Sequence, residues 1–172
     1  MKILAICGSL RAASLNAALL RAMIRLAPAG MEIKPFDAMA DLPLFNPDLD
    51  ACPSASVISF KNEIAAADVV LIASPEYAHG ITGVMKNALD WTVSSDVFVN
   101  KAVVVVNASP RATHADAALR EILSVMSARI IEAASVTVPV IGARLDEDGI
   151  VTHAGISATL TQALAALQQE WQ

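Results

Sequence analysis

Apolar residues fall along this chain in two patterns, and the alternation between them predicts its elements. Lys2 to Cys7 (KILAIC), Asp68 to Ser74 (DVVLIAS) and Lys101 to Ala108 (KAVVVVNA) are short, nearly unbroken apolar runs. That is the pattern of strands buried on both faces of a parallel sheet. The last of the three is the most hydrophobic and is expected to be a central strand. Met31 to Phe36 alternates weakly and predicts a strand nearer an edge, and Ile130 to Val140 is expected to hold a last strand. Between these runs the period changes. Leu15, Ala18, Leu19, Ala22, Met23 and Leu26 recur at the three-and-four spacing of a helix face, which Pro28 and Gly30 stop. Further helices are predicted over Val57 to Ala67, in the second half of Pro75 to Trp91, over Ala115 to Ser127 and over Ile156 to Trp171. Asp146 to Gly149 reads as a turn. The proline-bearing stretch Asp37 to Ser54, with DLPLFNPDLD inside it, reads as a long surface loop, either functional or a plain connection.

Five strands alternating with five helices in 172 residues predict an α/β fold in one domain spanning residues 1–172. The expected architecture is a doubly wound three-layer sandwich on a five-stranded parallel sheet. With right-handed crossovers, the flavodoxin-like strand order 2-1-3-4-5 fits best. Ligands of such sheets lie beyond the carboxyl ends of the strands, which here are Gly8 to Asn16, Pro75 to Gly80 and Ser109 to His114.

Composition narrows the partners. The chain is 55% hydrophobic and 17% charged, which predicts a core on both sides of the sheet and a homo-oligomer interface. A net charge of −5 offers no basic face for nucleic acid and leaves a small molecule as the expected partner. Two cysteines and three scattered histidines show no metal-ligand spacing, and Cys7 is expected in the core. The apolar run after Lys2 is too short for a secretory signal, and no stretch approaches the roughly 18 apolar residues of a membrane span, so a cytoplasmic protein without membrane association is expected. On that expectation the Asn107-Ala108-Ser109 sequon is accidental.

Candidate chemistry concentrates in GSLRAASLN, Gly8 to Asn16. Ser9, Arg11, Ser14 and Asn16 bring hydroxyl, guanidinium and amide donors to the point where a helix starts and its first N–H groups lack partners, a setting that attracts phosphate. So many donors match the acceptor lone pairs of a terminal phosphate dianion and favour a monophosphate ester. A dinucleotide site would want G-x-G-x-x-G and a triphosphate loop G-x-x-x-x-G-K-[ST]; only Gly8 is present, and there is no lysine. The plain alternative is that Ser14 merely caps the helix and Arg11 is a solvated charge.

GSLRAASLN, DLPLFNPDLD and PEYAHGITGVMKNALDW, in this order, closely resemble the NADPH-dependent FMN reductase family, which includes bacterial quinone, chromate and azo reductases. DEDGIVTHAGISATLTQAL, Asp146 to Leu164, is similar to that family's closing turn and helix. The resemblance implies FMN as cofactor and NAD(P)H as co-substrate. It implies that Ser9, Arg11, Ser14 and Asn16, with the backbone of Leu10 and Leu15, hold the phosphate. Pro75, Glu76, Tyr77 and Ala78 would line the ribityl chain and ring, with Ser109 nearby. The implied activity is ping-pong: hydride passes to flavin N5, then two electrons pass to a quinone, an azo compound or an oxidised metal ion such as chromate. No acid, base or nucleophile is needed at the ring, so no catalytic residue is expected. The helix carrying Lys86, Asn87, Asp90 and Trp91 resembles the family's dimerisation helix and implies a homodimer or homotetramer. An FMN electron carrier without NAD(P)H activity is the alternative, and Arg11 and the modest net charge of −5 argue against it.

Some roles stay open. Glu76 either contacts the flavin or orders its own turn, Tyr77 is either a ring neighbour or an interface aromatic, and Trp91 reads as packing. The chain departs from relatives at Ala78-His79, where they commonly carry a small polar residue after Pro-Glu-Tyr. His79 then either approaches the flavin or substrate or lies on the surface. The third loop, SPRATHADA, lacks the glycines many relatives have, which makes Arg111 and His114 candidates for a phosphate of the nicotinamide cofactor.

Overall fold

The computed structural model describes residues 1–171. In chain order its elements begin with β1 (Lys2–Cys7), α1 (Leu15–Leu26), β2 (Glu32–Pro35), α2 (Ala55–Ala66) and β3 (Val69–Ala73). A short hairpin of β4 (Glu76–Tyr77) and β5 (Gly80–Ile81) precedes α3 (Gly83–Asp90), β6 (Ala102–Val106), α4 (Thr113–Val125) and β7 (Arg129–Ile130). Three helices close the chain: α5 (Val140–Ala143), α6 (Glu147–Thr152) and α7 (Ala154–Glu170). The main sheet has five strands in the order β2-β1-β3-β6-β7, all parallel, which is the expected flavodoxin-like order once the hairpin is set aside.

Period-two alternation along the central strands divides the core into two layers. Ile3 and Ala5 of β1, Val69 and Leu71 of β3 and Val104 of β6 face α1 and α7, while Leu4, Ile6, Val70, Ile72, Val103 and Val105 face α2, α3 and α4. Burial on both faces is why these strands read as unbroken apolar runs. Leu19, Phe60 and Val69 are fully enclosed, and each such side chain stabilises the fold by about 1.5–3 kcal/mol relative to exposure. Among the described residues, no helix is long and apolar enough to cross a membrane.

Three expectations need correction. The last strand, expected within Ile130 to Val140, is Arg129–Ile130 and barely enters that stretch: pairing with β6 stops at Ile130, a one-turn 3-10 helix follows at Glu132–Ala134, and only an isolated bridge from Asn107 to Thr137 resumes the ladder. The break is patched by a side chain. Ser135 Oγ accepts from Val105 N at 3.0 Å and donates to Ile131 O at 2.9 Å, supplying the acceptor that a continuous strand would have offered. Pro139 then starts α5, so the segment turns back toward the sheet's carboxyl end.

The turn expected at Asp146 to Gly149 is the start of α6, capped by Asp146, whose Oδ1 accepts from Gly149 N at 2.9 Å. Asp-x-x-Gly served as a cap rather than a turn. Helices therefore outnumber the expected five. Asp37 to Ser54 is a packed segment with two 3-10 turns, not a bare surface loop. Met39 and Leu42 are buried, and Phe45 meets Trp91 edge-on at 5.1 Å. Trp91 Nε1 and Asn87 Nδ2 both donate to Pro43 O, at 2.7 and 3.0 Å. Trp91 is thus a packing residue, as read.

Replacing Ser135 with Ala should strand the Val105 N–H and lower stability by about 1–3 kcal/mol. Urea unfolding, read as a fall in midpoint at unchanged slope, checks this; an unchanged midpoint refutes it.

Candidate functional site

Because β1 and β3 are neighbours, the loops that leave their carboxyl ends meet, and Gly8 is the point of contact. Gly8 N donates to Ala73 O at 2.8 Å. A Cβ at Gly8 would lie 2.3 Å from Ser74 Oγ and 2.8 Å from Ser74 Cβ, so only a residue without a side chain lets the loops approach this closely. From the other side Thr82, 3% exposed, donates its hydroxyl to Gly8 O at 2.7 Å and accepts from Met85 N at 3.1 Å, capping α3.

The first loop then assembles its donors. Ser14 caps α1, its Oγ accepting from Ala17 N at 3.3 Å, and Ser9 Oγ accepts from Arg11 N at 3.4 Å. The N–H groups of Leu15 and Asn16, in the first turn of α1, have no partner within the helix. Asn16 is 3% exposed, and its Oδ1 is buried with no hydrogen-bond partner. Cys7 lies beneath this loop, its Sγ 3.6 Å from Ser9 O. Burial is the main influence on its thiol and pushes the pKa up, outweighing its hydrogen bonds with Ser9 and Ser14, so it stays protonated at neutral pH.

The second loop follows buried Pro75 into the β4–β5 hairpin. Ala78 and His79 form its tip with φ of 50° and 59°, the left-handed pair that a tight hairpin turn demands and that glycine or asparagine usually supplies. Two ties fasten the hairpin to α4. Glu76 Oε2 accepts from Ala115 N at 2.8 Å, and His79 stacks on His114 with ring centroids 4.4 Å apart. The Glu76 hydrogen bond runs to a neighbouring helix and not within its own turn.

The third loop is stitched by Asn107. Its Oδ1 accepts from Ser109 N at 3.0 Å and its Nδ2 donates to Ala112 O at 3.0 Å, while Ser109 Oγ accepts from Arg111 N at 3.3 Å. These three loops enclose a cavity of about 320 Å³. The first contributes Ser9, Arg11, Ser14, Leu15 and Asn16, the second Pro75, Glu76 and Tyr77, and the third Ser109, Arg111 and Ala112. Leu10, Ala78 and His79 lie outside the lining; Leu10 is 55% exposed. Among the described residues, neither Arg11 nor Arg111 is in an ion pair, and the cavity lining sets these two cations against the single carboxylate of Glu76. No group of three or more potential metal ligands occurs among the described residues.

Sequence reasoning missed Thr82, Asn107, Ala112 and Ile141. Asn107 had a signal, a polar residue closing an apolar strand. Ile141 had none, because it reaches the cavity only through the break in the last strand; its N–H donates to Ala108 O at 3.1 Å.

Comparison with known proteins points the same way. The model of the family described as NADPH-dependent FMN reductase matches residues 1–142. An NAD(P)H-dependent FMN reductase of Pseudomonas aeruginosa is 39% identical over 112 residues, covering 63% of this chain and 60% of that protein. An NAD(P)H:quinone oxidoreductase of Solanum tuberosum is 39% identical over 114 residues, 63% of this chain and 58% of its own length. The matched region thus spans less than two thirds of these curated relatives. Among solved structures, the flavoenzyme NAD(P)H:(acceptor) oxidoreductase FerB from Paracoccus denitrificans superimposes with a TM-score of 0.84 at 28% identity, covering 98% of this chain and 95% of that one.

Proposed function

Since the chain belongs to the NADPH-dependent FMN reductase family, we propose that it is an FMN-dependent NAD(P)H oxidoreductase, a single flavodoxin-like domain that reduces a small-molecule acceptor such as a quinone, an azo compound or an oxidised metal ion. The observation that carries the assignment of the cofactor is the unpaired polar set at the start of α1. Asn16 Oδ1 is buried without a partner, at a cost of about 1–3 kcal/mol. Beside it the N–H groups of Leu15 and Asn16 lack intrahelical acceptors, and Arg11 has no carboxylate. A phosphate and its ribityl hydroxyls supply what this set lacks. The hydroxyls offer donors, and the phosphate offers acceptors on a helix N-terminus.

In this reading Ser9, Arg11, Ser14 and Asn16, with the backbone of Leu10 and Leu15, hold the phosphate. Pro75, Tyr77 and the third-loop Ser109 bound the ring, with Ala78 and His79 at the rim and Glu76 tying the second loop to α4. When bound, FMN supplies the redox chemistry, taking hydride from NAD(P)H and passing electrons to the acceptor. The chain's own contribution is binding and orientation. Arg11 and the α1 N-terminus offset the phosphate charge, and Pro75 and Tyr77 exclude water from one wall. No side chain serves as acid or base: the Glu76 carboxylate is committed to Ala115 N, and His79 and His114 stack on each other outside the cavity.

The proposal extends to assembly and location. Exposed Leu44 and Val93, at 84% and 64%, give the face around α3 apolar area of the kind a homodimer or homotetramer buries. Cys7 and Cys52 are both free, which fits a reducing compartment such as the cytoplasm.

The purified protein should be yellow or take up added FMN, and NADPH or NADH added without oxygen should bleach the flavin band. A bound flavin that neither nucleotide bleaches would favour the electron carrier. Arg11→Ala should weaken FMN binding by about 1–3 kcal/mol, the contribution of a charged hydrogen bond; titration of flavin fluorescence reads this, and an affinity equal to the wild type contradicts the phosphate assignment. Light scattering should give a mass of two or four chains, and a monomer at micromolar concentration refutes the assembly.

A further inference from the structure

The N-terminus of α4 is capped from outside its own sequence. Its N-cap, Ala112, has no side-chain acceptor, and no Ser, Thr, Asp or Asn of the third loop bonds the first-turn N–H groups. The acceptor comes from 39 residues upstream: Glu76 Oε2 takes the hydrogen bond of Ala115 N at 2.8 Å. A carboxylate there also sits at the positive end of the helix dipole. Glu76 belongs to the second loop, and Ala112 and Ser109, just before α4, belong to the third. One carboxylate therefore spans the two loops between which the ring of the cofactor would enter. A second tie lies one step outward, where His79 of the hairpin tip stacks on His114 of the first turn of α4. The hairpin tip needs such support, since Ala78 and His79 both hold a left-handed conformation that side chains disfavour.

We propose that Glu76 is a positioning residue of the flavin site: by capping α4 across the cavity it fixes the third loop against the second and so sets the width of the slot, without touching the cofactor itself. The inference rests on the FMN reading above. It also has a consequence that a direct flavin contact does not have. A cap needs an oxygen at the right reach and gains only modestly from charge, whereas a charge contact needs the charge.

Two substitutions separate these demands. Glu76→Gln keeps the reach and an acceptor oxygen and loses the charge. Glu76→Asp keeps the charge and shortens the side chain by one methylene. Amide hydrogen exchange at Ala115, measured by NMR on the flavin-free chain, should stay close to wild type in Glu76→Gln and quicken about tenfold in Glu76→Asp, as expected for loss of a cap worth near 1.4 kcal/mol. With FMN as the probe, Glu76→Gln should bind within about twofold of wild type and give the same visible spectrum. Glu76→Asp should bind roughly five- to tenfold more weakly with a shifted spectrum, and thermal melts would show both variants folded. The opposite order, with Asp like the wild type and Gln impaired, would overturn the proposal and assign Glu76 to a charge contact with the cofactor. Equal behaviour of both variants and the wild type would overturn it as well. If the wild type took up no FMN, the functional reading would fall, while exchange at Ala115 would still decide whether Glu76 holds α4.

Discussion

The hydrogen bond from Thr82 Oγ1 to Gly8 O is the constraint from which the site follows. It is buried and 2.7 Å long, and the same hydroxyl accepts from Met85 N to start α3. One side chain thus fixes the end of β1, the start of α3 and, through the Gly8 to Ser74 approach, the exit of β3. Without it the Gly8 carbonyl would be buried and unpaired, at a cost of about 1–3 kcal/mol. Among the described residues, the loop after β1 has one further long-range hydrogen bond, from Gly8 N to Ala73 O at 2.8 Å. Its remaining bonds, from Ser14 to Ala17 N and from Arg11 N to Ser9, are local and order the turn without placing it.

What the sequence revealed and what it hid divide along a physical line. Strands buried on both faces and an amphipathic α1 are written in the local spacing of apolar residues, so β1, β3, β6 and α1 were legible to within a residue or two. The donor-rich turn after β1 was legible because Ser14, Arg11 and Asn16 are near one another in the chain. Long-range pairings were not legible. No local pattern says that Glu76 will cap a helix starting at Thr113, that Ser135 will stand in for a strand, or that Pro43 will accept from both Asn87 and Trp91. Ile130 to Val140 misled for the same reason. Its β-branched content matched a strand, and a break that a side chain repairs leaves that content unchanged.

Charge in the cavity follows from these pairings too. Arg11 and Arg111 both line it, and the acidic side chain among them, Glu76, spends its hydrogen bond on α4. Two cations against one carboxylate leave the lining positive in a chain whose net charge is −5. Such a contrast draws anionic ligands toward the mouth while the rest of the surface repels them.

The interruption after β7 reaches beyond the fold itself. A sheet rim attracts another chain when it offers a straight row of free peptide groups, and this one offers two paired residues before the backbone coils away at Glu132–Ala134. At the opposite rim β2 is four residues long and ends in Pro35, which has no N–H to give. Both borders are short and interrupted, which disfavours the addition of a strand and leaves helices and loops as the surfaces better suited to contact between copies.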